Sequence, residues 1–402
     1  MTLPIVCIPP IVNKHLEAYK QFFTKPQFNH FKRLVTGHIV CENTTLQEIN
    51  DSFGNCDQSN LNRFVSCSNW DMDDLNKIRL NQIKNHLPLQ KKGIQIIDES
   101  LLHKTGPCME LAGYHRSGVT KKIEWGHMAV NSFYTDSVNN DFPIKTDVYV
   151  REKDCPKYGN ISFKTKREIA IEQIDFALKN GLPVSLILVD AGYEGEKFTQ
   201  EIQTRELDYL IGVRTTTKIS IERQKRISIA GYLSTITDSD FKFYLTEEKA
   251  YFYHIRKVSI RGIGNVKLVI SFMHGDEEKI KCYITNLKED DETIIKLLIK
   301  RWRIECFHRD AKQHLGLEAY QVRKGRGMQV VALATLVAYT LVILIARILK
   351  TPIRKLNTVG EVCRYLALVA YKGIRWISCL IRKPLEFIEI LKKHVFVKNT
   401  KV

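Results

Sequence analysis

The run from Met328 to Leu349, MQVVALATLVAYTLVILIARIL, holds 22 residues and one charge, Arg347. A helix apolar on every side has two possible surroundings, the interior of a large domain or a lipid bilayer. Basic residues lie on both flanks, Lys324 and Arg326 before it and Lys350 and Arg354 after it, so the flanking charge sets no membrane orientation. The run directly follows a strongly charged stretch. A buried core helix, with no membrane involved, is the expectation; a membrane anchor is the competing reading.

A helix of that kind needs a large domain around it, and 402 residues suffice for two or three domains. Apolar residues make up 44% of the chain and charged residues 26%, the balance of a globular protein. The net charge of +17 implies a polyanionic partner. It is unevenly spread: from Thr293 to Val402 there are 22 Lys and Arg against 6 Asp and Glu, so nearly all of the excess sits in the last quarter. Such a quarter reads as a phosphate-contacting surface. The 10 cysteines are scattered and form no Cys-x-x-Cys pair, which argues for reduced thiols in a cytosol. The start, MTLPIVCIPPIVNK, is a poor signal peptide, with no charged leading segment and three prolines.

Pattern divides the chain into five parts. Residues 1–90 read as helical and are a candidate DNA-binding region. Thr45-Leu-Gln-Glu48 fits a capping box, and a second short helix follows over Ser59–Ser66 with Leu61, Phe64 and Val65 inward and Asn60, Asn62 and Arg63 outward. Residues 91–214 alternate strands and helices. Gly93-Ile-Gln-Ile-Ile-Asp98 and Pro183-Val-Ser-Leu-Ile-Leu-Val-Asp190 are apolar strands that each end in an acid, and Arg167–Asn180 is an amphipathic helix between them. Residues 215–287 read as a β-rich insertion of short alternating strands. Residues 288–350 return to helix, continuous from Thr293 through Glu305, and 351–402 form a basic helical tail. The expected class is α/β, a mixed sheet with flanking helices.

Chemistry concentrates on three carboxylates. Phosphodiester cleavage needs a stabilised phosphate charge and an activated oxygen nucleophile, and two divalent ions about 3.5–4 Å apart supply both. Asp98 and Asp190 stand at strand ends, where a buried acid without a cation carries a large desolvation penalty. On the C-terminal helix, Arg301, Glu305 and Lys312 share a face at spacings of four and seven, whereas Asp310 lies about 140° away from Glu305. Cys306-Phe-His308 with His314 matches no common zinc spacing. His127 reads as structural.

These residues resemble the motifs of DDE transposases of bacterial and archaeal insertion sequences. Their third motif has the form Tyr-x2-Arg-x3-Glu-x6-Lys, and Arg301, Glu305 and Lys312 match it, with Leu298 in the tyrosine position. Ile96-Ile-Asp98-Glu-Ser is similar to the first motif and Leu188-Val-Asp190-Ala-Gly-Tyr193 to the second. The resemblance, over about residues 15–350, implies an RNase H-like core. It also implies Asp98, Asp190 and Glu305 as catalytic and metal-binding residues, with Mg2+ as cofactor and Mn2+ as substitute. It implies double-stranded DNA as partner (terminal inverted repeats and target) and a homodimer on DNA. Arg301, Lys312, Arg323, Lys324 and Arg326 are the expected DNA contacts, and the prokaryotic cytoplasm, at the nucleoid, is the expected location. Related enzymes that form a hairpin stack a flipped base on an aromatic; the insertion lacks Trp, leaving Tyr244, Tyr251, Phe252 and Tyr253. The alternatives are an RNase H-fold endonuclease without strand transfer and an inactive domesticated DNA-binding relative.

Overall fold

A computed structural model describes residues 4–54, 57–159, 161–222, 225–247, 249–349 and 356–371. Five helices open the chain: α1 (Pro10–Leu16), α2 (Lys25–Val40), α3 (Leu46–Phe53), α4 (Gln58–Cys67) and α5 (Met72–His86). Thr45 caps α3 by accepting the Glu48 N–H at 3.2 Å. The Thr45 N–H goes to Asn43 Oδ1 at 3.3 Å, so the acceptor for that group comes from upstream of the cap. On α4, Leu61, Phe64 and Val65 are buried while Asn60, Asn62 and Arg63 are exposed, as the polarity of the segment dictates.

The sheet begins with β1 (Gly93–His103), β2 (Gly113–Arg116), β3 (Ile123–Thr135) and β4 (Phe142–Tyr149). The helix α6 (Lys166–Lys179) leads to β5 (Val184–Val189), and α7 (Glu196–Gln203) to β6 (Asp208–Val213). Next come β7 (Lys218–Ile219), β8 (Ile227–Ser228), α8 (Ile229–Leu233), β9 (Lys242–Leu245), β10 (Ala250–Ile260), β11 (Gly264–Met273) and β12 (Lys281–Thr285). Helices α9 (Asp291–Ile299), α10 (Trp302–His314), α11 (Gly325–Ile348) and α12 (Val359–Ala370) complete the described chain.

Strand order is β2-β3-β1-β5-β6-β12-β11-β10-β9, with β4 pairing on β3 beside β2. The β1–β3–β4 meander is antiparallel, and β5 and β6 run parallel to β1 through helical crossovers. This is the RNase H-like arrangement. Of the strands of 215–287, β7 and β8 form a small two-stranded sheet, while β9–β12 extend the main sheet, β12 pairing antiparallel with β6.

Alternation along each strand feeds two cores. Ile94, Ile96, Leu186, Leu188 and Leu210 face one side, with α10, α11 and the N-terminal helices over them. Ile97, Ile187, Val189 and Ile211 face the other, under α6 and α7. The apolar run of 328–349 is α11, which packs on β4, α2, α4, α5 and α12. It is long and apolar enough to cross a membrane, yet 89% of its most apolar window is buried inside the fold. Arg79 of α5 ties this layer together: it is fully buried and donates to Pro143 O at 2.8 Å, Ile144 O at 2.6 Å and Thr340 Oγ1 at 2.9 Å.

Two expectations need correction. The strand carrying Asp98 does not stop there. Its parallel pairing to β5 ends at Ile97–Val189, but its antiparallel pairing to β3 continues to His103–Gly126, so β1 runs five residues past the acid. The helix leading to Glu305 is not continuous. At Lys300 and Arg301 the backbone tightens, with N–H bonds reaching back three residues to Leu297 and Leu298. There Lys300 Nζ is held by Asp136 O at 2.6 Å and Asn139 Oδ1 at 3.1 Å, and Arg301 turns inward. Of the expected basic tail, α12 belongs to the described residues; 350–355 and 372–402 lie outside them.

Candidate active site

Strand register sets the floor of the site. Ile96 pairs with Leu188 and Ile97 with Val189, so Asp98 and Asp190 are the next residues in step on adjacent strands. Both carry the parity of Ile96 and Leu188 and therefore face α10. The row continues in both directions. Asp98 pairs with Asn131 of β3, and Asn131 with Thr146 of β4. Beyond Asp190 comes Gly212 of β6, one step past the Val189–Ile211 pair, and Gly212 pairs with Tyr283 of β12. One line of residues, Thr146, Asn131, Asp98, Asp190, Gly212 and Tyr283, thus crosses five strand boundaries on the face beneath α10.

Gly212 is required by close approach. A Cβ there would stand 2.5 Å from the Ala191 nitrogen and 2.7 Å from the Asp190 carbonyl carbon, so any side chain would push Asp190 out of place.

Helix α10 supplies the upper side. Ile304, Phe307 and Ala311 anchor it in the core, which turns Glu305, His308 and Lys312 toward the row. Arg301 places one guanidinium nitrogen 3.7 Å from Asp98 and another 3.3 Å from Glu305. Its side chain is only 13% exposed, and Tyr283 of β12 interacts with it electrostatically. Leu298, in the position where the motif has tyrosine, is buried in the core. Lys312 Nζ donates to Leu101 O at 2.8 Å and pairs with Glu318 at 3.4 Å.

Asp98, Asp190, Glu305, Arg301, His308 and Lys312 all border one cleft of about 820 Å³. Arg116, Lys121, Lys281 and Arg309 lie on its rim, basic positions that no sequence pattern singled out. The electrostatics of the acids suit a bound cation. Burial pushes the Asp98 carboxyl up to about 8, with Asp190, Glu305 and Glu99 raising it further and Arg301 opposing them. Asp190 is raised as well, by burial first and then by Glu99, against the Gly192 N–H, Arg301 and Lys166. Acids that repel one another in a buried setting are a donor set for a hard divalent ion. A carboxylate oxygen of Asp98, one of Glu305 and a ring nitrogen of His308 all lie within 4.8 Å of one another. Burial, then Lys312 and Arg301, hold His308 down to about 3, so its imidazole is neutral.

The family model of DDE superfamily endonucleases matches residues 17–230, and that of the transposase DDE domain matches 165–341. The chain belongs to the DDE transposase family. A probable transposase for insertion sequence element IS701 from Microchaete diplosiphon is 28% identical over 225 residues, which is 54% of this chain and 57% of that protein. The aligned stretch therefore spans little more than half of the relative. The cryo-EM structure of a piggyBac transposase synaptic complex with hairpin DNA superposes with TM-score 0.48 at 10% identity, over 98% of this chain and 83% of that one. Membership of the family implies use of a divalent metal.

The remaining expected contacts sit elsewhere. Arg323 and Lys324 are exposed at a second groove of about 600 Å³, shared with Asn62, Arg63 and Gln47 of the N-terminal helices. Lys324 is paired to Glu110 at 2.9 Å, and Glu110 also accepts the Gly325 N–H at the start of α11. Arg326 is engaged within the fold, donating to Ser68 O at 2.8 Å and Trp70 O at 2.7 Å. His127 is a packing residue: Tyr320 Oη lies 2.8 Å from its Nδ1, and Glu110 O lies 2.9 Å from its Nε2. Of the aromatics considered for base stacking, Tyr253 is buried and Phe252 packs on Phe272 at 5.3 Å.

Proposed function

We propose that the chain is the transposase of an insertion sequence, binding the terminal inverted repeats of its element, cleaving there and joining the freed 3′ ends to target DNA. The observation that carries this reading is the convergence of Asp98 and Asp190, neighbours in one cross-strand row, beneath Glu305 on α10. Asp98, Asp190 and Glu305 are the residues to hold divalent ions, Mg2+ first and Mn2+ as its substitute. Bound there, such ions supply charge neutralisation at the scissile phosphate and an activated oxygen nucleophile. The chain's own groups do the rest. Arg301 keeps Asp98 and Glu305 together, and Lys312 with the rim cations Arg116, Lys121 and Lys281 holds backbone phosphates over the acids.

Duplex DNA is the partner that the +17 charge favours. The groove lined by Asn62, Arg63, Arg323 and Lys324 is a second place for it, 1–90 serving as the DNA-binding region. Two ends cut together call for a homodimer on DNA, acting at the nucleoid in the cytoplasm. The test is incubation of the protein and Mg2+ with a plasmid carrying the element's ends, comparing wild type with Glu305→Gln. Cleaved and joined products from wild type alone support the proposal. Free 3′ ends with no joined product would identify a nuclease instead, and equal inactivity of both proteins would identify a binding protein that does not cut.

A further inference from the structure

We propose that His308 is a nitrogen ligand of the divalent ion held between Asp98 and Glu305, making this position a mixed oxygen and nitrogen site. The inference rests on the reading of Asp98 and Glu305 as metal ligands and adds a residue to it. His308 stands one helical turn after Glu305, on the same face of α10. One of its ring nitrogens and single oxygens of the two carboxylates are mutually within 4.8 Å. Donor atoms around one octahedral ion lie roughly 3–4.3 Å apart, given metal–ligand bonds near 2.1 Å. Small side-chain adjustments therefore gather all three on a single ion.

The second ring nitrogen has a buried amide as its partner. His308 is only 8% exposed, and its Nε2 lies 3.1 Å from Asn131 Nδ2, which also faces Ala129 O at 3.4 Å. The other end of that amide is 2.7 Å from the Thr146 hydroxyl. Such an outer partner fixes the ring orientation and tautomer of a ligating imidazole. Here it leaves Nδ1 as the nitrogen for the ion. With Nδ1 ligating, Nε2 carries the proton, and the Asn131 amide turns over so that Oδ1 accepts it in place of Nδ2, giving up the long 3.4 Å contact of Nδ2 to Ala129 O. The Thr146 hydroxyl then accepts from Nδ2; it serves either orientation of the amide, because it both donates and accepts. Asn131 and Thr146 are the two residues that continue the Asp98 row, so the strand pairing that places the acid also places the groups behind the histidine. Imidazole suits first-row transition ions, of which Mn2+ is the weakest binder, whereas Mg2+ takes oxygen and retains its water.

The test is pulsed electron paramagnetic resonance of Mn2+ bound to the full-length protein, alongside titration of its affinity. Wild type is expected to show modulation from a directly coordinated nitrogen. His308→Gln is expected to lose that modulation and to bind Mn2+ about tenfold more weakly. His308→Asp, which returns an oxygen ligand, is expected to recover most of the affinity without the nitrogen signal. A wild-type signal free of nitrogen, with Mn2+ binding still abolished by Glu305→Gln, would overturn the role of His308 and leave the metal reading intact. Nitrogen modulation persisting in His308→Gln would overturn it equally. Mn2+ binding indifferent to Glu305→Gln would bring down the metal reading and this inference together.

Discussion

Asp98 and Arg301 face each other at 3.7 Å across the seam between the central strand and α10. The same guanidinium reaches Glu305 at 3.3 Å, so one side chain spans two acids that otherwise repel. Arg301→Gln is expected to lower both stability and DNA cleavage, the latter by about 10²-fold, because the two acids lose the group that holds them in productive geometry. Arg301→Lys is expected to recover little, since an ammonium lacks the planar fork that contacts both acids. Cleavage rates and denaturant unfolding of the two variants check this, and a fully active lysine variant would contradict it.

Asp98 is stabilised poorly by the protein alone. Asp98→Asn is therefore expected to raise the melting temperature of the metal-free protein while abolishing cleavage and the stabilisation that added Mg2+ or Mn2+ gives wild type. Thermal unfolding with and without metal separates the two effects. A variant less stable than wild type in chelator would show that the carboxylate is well satisfied without an ion.

Gly212 acts on the site through backbone alone. Gly212→Ala is expected to cut metal affinity and cleavage at least tenfold, because the added Cβ meets the Asp190–Ala191 peptide at 2.5–2.7 Å. Far-ultraviolet circular dichroism is expected to stay close to wild type. Metal titration of the variant decides the matter, and unchanged affinity would mean that the strand ends yield without moving the acid.

The three basic residues at the start of α11 are expected to behave differently from one another. Arg323→Gln and Lys324→Gln should each reduce the slope of log affinity against log salt by about one, as loss of a phosphate contact does. Arg326→Gln should mainly destabilise the fold, because its guanidinium holds the Ser68 and Trp70 carbonyls. Filter binding over a salt series, with melting curves beside it, distinguishes the cases.

Acid should weaken the fold through buried neutral histidines. Burial holds His38 down to about 4, the Leu315 carbonyl opposing the shift. The unfolded chain therefore binds this proton near its ordinary 6.5 while the folded protein does not. The stability is fully present above pH 6.5 and is lost as pH falls from 6.5 toward 4, by at most roughly 3 kcal/mol for this group. His38→Gln should flatten that part of the stability profile, and an unchanged profile would assign the loss to other groups such as His127, also held down to about 4.

Local pattern made much of this architecture legible. Val184–Val189 is apolar throughout because both faces are covered, and Leu61, Phe64 and Val65 are spaced for one helical stripe. The three acids were visible because two follow such runs and the third sits four residues from Arg301. What escaped depends on pairing between distant segments. Nothing near Asp98 reveals that β3 keeps pairing past it, and nothing near Lys300 reveals that Asp136 and Asn139 will tether it. His308 looked unremarkable beside Cys306 because its partners, Asn131 and Thr146, lie on other strands. Tyr283 meets Arg301 only because β12 extends the sheet next to β6.

The cross-strand row has a consequence for how this chain can fail. Side chains alternate faces along a strand, so a slip of a single residue between β1 and β5 would send Asp98 and Ile96 to the wrong side together. Such an error would expose oily side chains and bury charge, and the sheet would not assemble. Correct assembly of the hydrophobic interior is thereby its own proofreading for the chemistry, and a folded molecule whose acids are misaligned by such a slip is excluded.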